Sequence, residues 1–181
     1  MAARLRILKI TAYLLLFIVG ILGAMFQTAQ VAGAAAKTVK SKSMTAKQRK
    51  EWRAAVVKYS GQLGKILESS SDAKTELSLY LTMFPNLNDV DILEAAAKTV
   101  VIEECYAKLT KLKPPTGMGP IHARNKESMK FDSEAMTLIR SGIDNKDQAQ
   151  IDTATQLLKQ SMDKQKQAMD LTKKFYKANK F

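Results

Sequence analysis

Hydrophobic positions recur along this chain in four long stretches of helical spacing, preceded by one stretch that is apolar almost throughout. From Trp52 the apolar residues fall at Val56, Tyr59, Leu63, Ile66 and Leu67, then at Ala73, Leu77, Tyr80, Leu81 and Phe84 in the same phase. Spacings of three and four put them on one side of a helix. Thr45-Ala46-Lys47-Gln48 has the form of a capping box ahead of that helix, and Pro85 stops it. Ser69-Ser70-Ser71-Asp72 interrupts the apolar pattern but not its phase. Residues 46–84 therefore read as one helix, with a kink near Ser70 as the alternative.

A second helix is expected from Asn88 or Asp89, with Asp91 and Glu94 in its first turns, where acids suit the positive helix end. Leu93, Ala97, Val100, Val101, Cys105, Leu109 and Leu112 are expected to form its apolar side, widened by Ile92, Ile102 and Tyr106. So wide a face predicts contact with two neighbours. Pro114-Pro115 ends this helix, and the stretch from Leu109 to His122 is a hinge between two helical halves. The third helix opens near Gly119 or Pro120, since proline suits a first helical turn. Met118, Ile121, Met129, Ala135, Met136 and Ile139 mark its buried side. Arg140-Ser141-Gly142-Ile143 should end it, with Gly142 in the left-handed conformation. The fourth runs from about Asp147 to Ala178, with a stripe of Ile151, Ala154, Leu158, Met162, Ala168 or Met169, Thr172 and Phe175. That repeat of about seven residues suits near-parallel packing of long helices.

Four amphipathic helices joined by short turns predict an all-α, up-down-up-down four-helix bundle over residues 46–181. The layout carries a resemblance. A helix ending in Leu112-Lys113-Pro114-Pro115, then His122 opening the next helix, then Ser141-Gly142-Ile143-Asp144 before a last long helix, resembles exported bacterial four-helix-bundle domains of unknown function. The resemblance covers residues 46–178 at the level of layout. It implies a bundle outside the cytoplasm and carries no catalytic residue with it.

The apolar stretch ahead of the four helices changes the picture from fold to location. Met1 to Lys9 holds Arg4, Arg6 and Lys9 and no acid, and Ile10 to Phe26 is almost wholly apolar. Small residues follow, up to Ala36. A basic start, an apolar middle and a small-residue exit make an export signal over residues 1–36. Ala34 and Ala36 are the cleavage candidates, each with a small residue two positions before it. The alternative is an uncleaved signal anchor, since the apolar run approaches the ~20 residues of a membrane span. The alanine-rich exit favours cleavage. In both readings the positive charges hold the N-terminus inside and place the rest outside the cytoplasmic membrane. Residues 37–45 form a basic linker with nothing to bury.

Charge adds a surface feature. The 181 residues carry a formal net charge of +12. The basic residues cluster at two places, Lys37, Lys40, Lys42, Lys47, Arg49 and Lys50 near the start, and Lys173, Lys174, Lys177 and Lys180 at the finish. In an antiparallel bundle of four helices those two places share one end, making a cationic pole for an anionic membrane surface or a cell-wall polyanion. The aromatics Trp52, Phe175, Tyr176 and Phe181 lie near that pole in sequence and suit an interface. A protein partner is the other option. Nucleic acid is not expected, because export removes the chain from it.

Candidate chemistry subtracts more than it adds. With one cysteine, Cys105, no internal disulfide and no cysteine-based zinc site can form. Cys105 lies in an apolar helical pattern beside Glu103 and Glu104, which predicts a buried thiol. One of those glutamates is expected to face the bundle seam and pair with Lys126 or Arg124. His122 is the sole histidine, so no multi-histidine metal site is available, and its expected role is a cap on the third helix, bonded to the hinge backbone. No nucleophile elbow, phosphate loop, zinc-protease motif or calcium loop is present. The expected protein is therefore not an enzyme and has no cofactor. It is an exported interaction module at the cell envelope. A sensor-like bundle holding a small ligand, or a non-covalent haem between His122 and one of Met118, Met129, Met136, Met162 or Met169, is the alternative.

Overall fold

The computed structural model describes residues 44–181. The expected signal or anchor helix, its cleavage candidates Ala34 and Ala36, and the linker residues Lys37, Lys40 and Lys42 lie outside the described residues. Within them the chain is all helical, with no strand, and forms a helical bundle of four helices: α1 (Ala46–Met83), α2 (Asp89–Lys111), α3 (Gly119–Asp144) and α4 (Gln148–Ala178). None of the four is long and apolar enough to cross a membrane.

Each helix start is explained by local chemistry. Thr45 and Gln48 form the reciprocal capping box, with Gln48 N donating to Thr45 Oγ1 at 3.2 Å and Thr45 N donating to Gln48 Oε1 at 2.9 Å. Asn88 and Asp91 repeat the device at α2, with Asp89 and Asp91 supplying acids to its first turn. Pro120 sits in the first turn of α3. Asp147 caps α4 by accepting from the amides of Ala149 and Gln150. The helix α1 runs unbroken through Ser69–Ser71, because Ser70 stays in the buried phase at 2% exposure.

Side-chain pairs give the helix directions. Lys98 of α2 pairs with Glu76 of α1, and Tyr80 of α1 donates to Glu94 of α2. Arg140 of α3 reaches Glu103 and Thr99 of α2. Ser128 and Ser161 share a hydrogen bond of 2.9 Å between α3 and α4, and Lys164 pairs with Glu127. In each case residues near the connecting turn meet each other and residues far from it meet each other, so consecutive helices run antiparallel. Ser60 meets Tyr176 at 2.7 Å, which brings α4 back to α1. Backbones come closest between α3 and α4, whereas α1 and α4 meet through long side chains.

Two apolar cores lie along the bundle. One joins Ala73, Leu77, Ile102, Met136, Ile139 and Ile151. The other joins Val56, Tyr59, Leu109, Met118, Met129 and Phe175. Between them α1 contributes Ser70, α3 contributes Ser128 and Asp132, and α4 contributes Ser161 and Gln165, all buried. This polar belt sets a register, because sliding one helix by a turn would leave these groups facing hydrocarbon.

Several expectations are corrected. On α2, Leu93 and Val100 are exposed at 70% and 47%, and the buried side is Ala95, Thr99, Ile102, Cys105 and Leu109. Apolar residues occupy more than one side of this helix, so small Ala95 and Thr99 turn inward together with Ile102 and Leu109, while Leu93 and Val100 face out. On α4 the inner positions are Ser161 and Ala168, while Met162 and Met169 are half-buried. The seam keeps a strict alternation of three and four, and Ser161 is buried because Ser128 answers its hydroxyl. Gly142 is not the left-handed residue, since α3 continues to Asp144 and Lys146 takes that conformation at φ 53. A Cβ on Gly142 would stand 2.8 Å from Ile151 Cδ1 and 3.2 Å from the Asp147 carbonyl oxygen. Glycine is needed there for close approach of the α3–α4 turn. Glu103 pairs with Arg140 and Glu104 with Lys108, rather than with Lys126 or Arg124. Arg124 turns instead to Glu127, one turn along its own helix.

Candidate functional site

Among the described residues, members of the two basic clusters share one end of the bundle. Arg53 Nη2 at the start of α1 donates to the carbonyl oxygen of Lys180, beyond the end of α4, at 3.3 Å. The guanidinium carbon of Arg53 lies 5.4 Å from the centre of the Phe181 ring. Lys47, Arg49 and Lys50 project from the first turns of α1 and are exposed. Lys173, Lys177 and Lys180 are exposed at the other side of the same end, and Lys174 is half-buried. The clusters lie more than a hundred residues apart in the chain, and the return of α4 to α1 puts them side by side.

An aromatic cluster fixes that return. Trp52 packs 6.0 Å from Phe175 and 5.4 Å from Phe181, centre to centre, and Tyr176 meets Phe175 edge-on at 5.7 Å. Phe175 is buried at 2%, whereas Phe181 remains 43% exposed. The indole N–H of Trp52 donates to the Thr116 carbonyl oxygen at 3.0 Å, which ties the α2–α3 hinge to the same end. The chain leaves α4 through Asn179, whose amide nitrogen donates to Phe175 O at 2.8 Å. Lys180 then takes a left-handed backbone at φ 52, turning Phe181 back over the rings.

The placement of charge is uneven in its causes. Lysines at the end of α4 sit where the helix dipole favours cations. Lys47, Arg49 and Lys50 sit at the opposite pole of α1, where the dipole disfavours them, and the first turn of α1 holds no acid to offset it. The helix dipole therefore accounts for the α4 lysines and does not account for Lys47 and Lys50 on α1. Between the two groups Met44, Arg49, Trp52, Arg53, Ala178, Asn179 and Lys180 line a cleft of about 190 Å³. Arg53 was missed from the sequence alone. Its signal was its spacing of four from Arg49, which puts both on one face of α1.

The other candidates behave differently from expectation. His122 does not cap the hinge backbone. Its Nδ1 lies 2.8 Å from the Tyr59 hydroxyl on α1. Burial, and then the Lys126 charge, push the His122 pKa below the ordinary histidine value, and burial lifts Tyr59 to about 12. Cys105 is buried at 2%. Asp132, buried at 1%, receives Lys74 Nζ at 2.8 Å on one oxygen. Its other oxygen, Oδ1, and Ser70 Oγ have no protein partner. No group of three or more histidine, cysteine or acidic side chains is arranged to hold a metal among the described residues.

Set against known proteins, the chain matches no protein-family model, no curated protein and no solved structure.

Proposed function

We propose that this chain is an exported up-down-up-down four-helix bundle whose basic end contacts the anionic surface of a membrane, as a non-enzymatic interaction module at the bacterial cell envelope. In this reading residues 1–36 direct export, by a cleaved signal or by an anchor through residues 10–26, and the bundle works at the outer face of the cytoplasmic membrane. The observation that carries it is the juncture of the α1 start with the α4 end, which sets Arg53 against Lys180 and exposed Phe181, with exposed Lys47, Arg49, Lys50 and Lys177 on the adjoining turns. Cations with an interfacial aromatic suit a lipid surface. Phe181 has less to gain from a hydrophilic wall polyanion. Co-sedimentation of the full chain with vesicles tests the proposal. Binding to anionic vesicles should exceed binding to zwitterionic ones and fall as salt rises from about 0.05 to about 0.5 M. A variant with Lys47, Arg49, Lys50, Lys173, Lys177 and Lys180 changed to glutamine shares the leader. If it binds as well as the parent, the proposal fails.

A sensor-like, small-ligand bundle is the second reading. Ser70 Oγ and Asp132 Oδ1, buried without protein partners in the polar belt, favour it. A soluble polar ligand that raises the melting temperature of the Asp132→Asn variant as much as that of the parent would count against that belt as its site.

A further inference from the structure

The cleft at the basic end has the composition of a site for a single phosphate group. Its volume of about 190 Å³ has room for a small polar group and several waters. That suits one phosphate with part of its hydration. Arg49 and Arg53 are four residues apart on one face of α1, and Lys180 closes the opposite side. The lining contains no acid. Guanidinium groups match the geometry of phosphate oxygens through paired N–H donors.

The walls are held before any ligand arrives. Trp52 is pinned through its indole N–H to Thr116 O, and its ring is wedged against Phe175 and Phe181. Arg53 is steadied by the Lys180 carbonyl oxygen and by the Phe181 ring. One contact of 3.3 Å occupies only a part of a side chain with five N–H donors. Beside the mouth, Phe181 presents an apolar surface that is 43% exposed.

We infer that this cleft binds the phosphate of an anionic phospholipid headgroup, with Phe181 seated in the interfacial layer beside it. The inference rests on the membrane-contact reading above and narrows it from spread charge to one subsite. Phosphate chemistry alone would also admit free phosphate. The exposed aromatic at the rim selects the lipid, because only an interface rewards burial of that ring.

Trp52 is the only tryptophan of the chain, so its emission reports on the cleft and on nothing in the leader. Full-length protein is titrated with vesicles of phosphatidylglycerol and phosphatidylcholine, with pure phosphatidylcholine, and with inorganic phosphate. The expected result is an emission change with the anionic vesicles at low lipid concentration. Arg49→Ala/Arg53→Ala should weaken that response at least about tenfold more than Lys173→Ala/Lys177→Ala, a pair of equal charge loss outside the cleft. Far-UV circular dichroism checks that each variant folds. Lys180→Gly lies beyond α4 and relieves its left-handed backbone. It keeps the test decidable if the arginine pair does not fold, with an expected weakening of at least about fivefold. Equal losses for the arginine and lysine pairs overturn the subsite while leaving the membrane reading intact. A parent protein with no preference for anionic vesicles overturns both. An emission change with millimolar inorganic phosphate as large as that with vesicles overturns the assignment to lipid.

Discussion

Asp132 on α3, buried at 1%, takes the ammonium of Lys74 on α1 at 2.8 Å, and this pair crosses the bundle between its two apolar cores. Lys74 keeps 22% of its side chain in reach of water, so the two partners are not equally desolvated. Removing the lysine alone leaves a carboxylate stranded in the interior. Lys74→Ala is expected to cost about 3 kcal/mol of stability, measured by urea unfolding. The double replacement Lys74→Met/Asp132→Leu should cost much less, because it removes the charge together with its partner. Equal losses for the two proteins would show that the pair does not act as a unit.

Gly142 is required by crowding, not by backbone conformation. Gly142→Ala places a methyl group 2.8 Å from Ile151 Cδ1 and 3.2 Å from a backbone oxygen. The isoleucine tip can turn, but the carbonyl cannot move without the α3–α4 turn. A loss of about 1–3 kcal/mol follows. Lys146→Gly, at φ 53, should instead raise stability by about 0.5–1 kcal/mol, the left-handed cost of a side chain less the entropy of glycine. Thermal unfolding of the two variants should move in opposite directions.

These two residues show where reading the sequence stops. A glycine and a lysine near a helix end are both visible, yet which one turns left-handed depends on how closely α4 packs against α3. The same holds on α2. Leu93 and Val100 are apolar and correctly spaced, but so are Ala95 and Ile102, and only the size of the gap to α1 and α3 decides which side goes in. Where the apolar face is narrow, as on α1 and α3, the buried residues were legible: Val56, Leu63 and Leu77, then Met129, Met136 and Ile139. The partners of buried polar groups were not, because Ser161 and Asp132 find theirs 33 and 58 residues away. At the basic end both charge clusters were legible as compositions, and the reversal of chain direction at each turn implied that they share one end. The cleft between them was not, since it is made by Arg53 and by the path of the last three residues.

His122 gives the fold a pH dependence of known sign. Its pKa is lowered in the folded state by burial and by the Lys126 charge. The unfolded chain therefore binds a proton that the folded chain refuses, and stability rises with pH where the two differ. Stability from this group is complete above the ordinary histidine value, about 6.5, and declines as pH falls from there toward the folded value. Denaturant titrations between about pH 7 and pH 5 should show this decline, with a flatter profile in His122→Asn. At lower pH Glu127 adds a second loss. Hydrogen bonds from Lys164 and Arg124 lower its pKa, so its contribution is present above the ordinary carboxylate value and disappears as acid passes the folded one. An unchanged slope in His122→Asn between pH 7 and 5 would remove the histidine from this account.

Tyr59 acts at the other extreme. Burial lifts its phenol to about 12. Stability from keeping it neutral is full below the ordinary tyrosine value of about 10 and is lost as pH rises toward the folded value. Tyr59→Phe should remove this alkaline loss, seen as a smaller fall in melting temperature between about pH 9 and pH 11.

The basic surface exists only if the start of α1 and the end of α4 stay together in solution. Spin labels at positions 50 and 177, in a chain whose buried Cys105 is changed to alanine, measure that directly. Helix ends that meet through side chains, somewhat beyond the close-packed distance of about 8–10 Å, with a label on each, predict a single narrow distance of roughly 15–30 Å. The 38 residues of α1 span about 57 Å. A broad distribution centred near or above about 50 Å, close to that helix length, would mean that the two clusters do not share an end, and the account of a cationic membrane contact would fall.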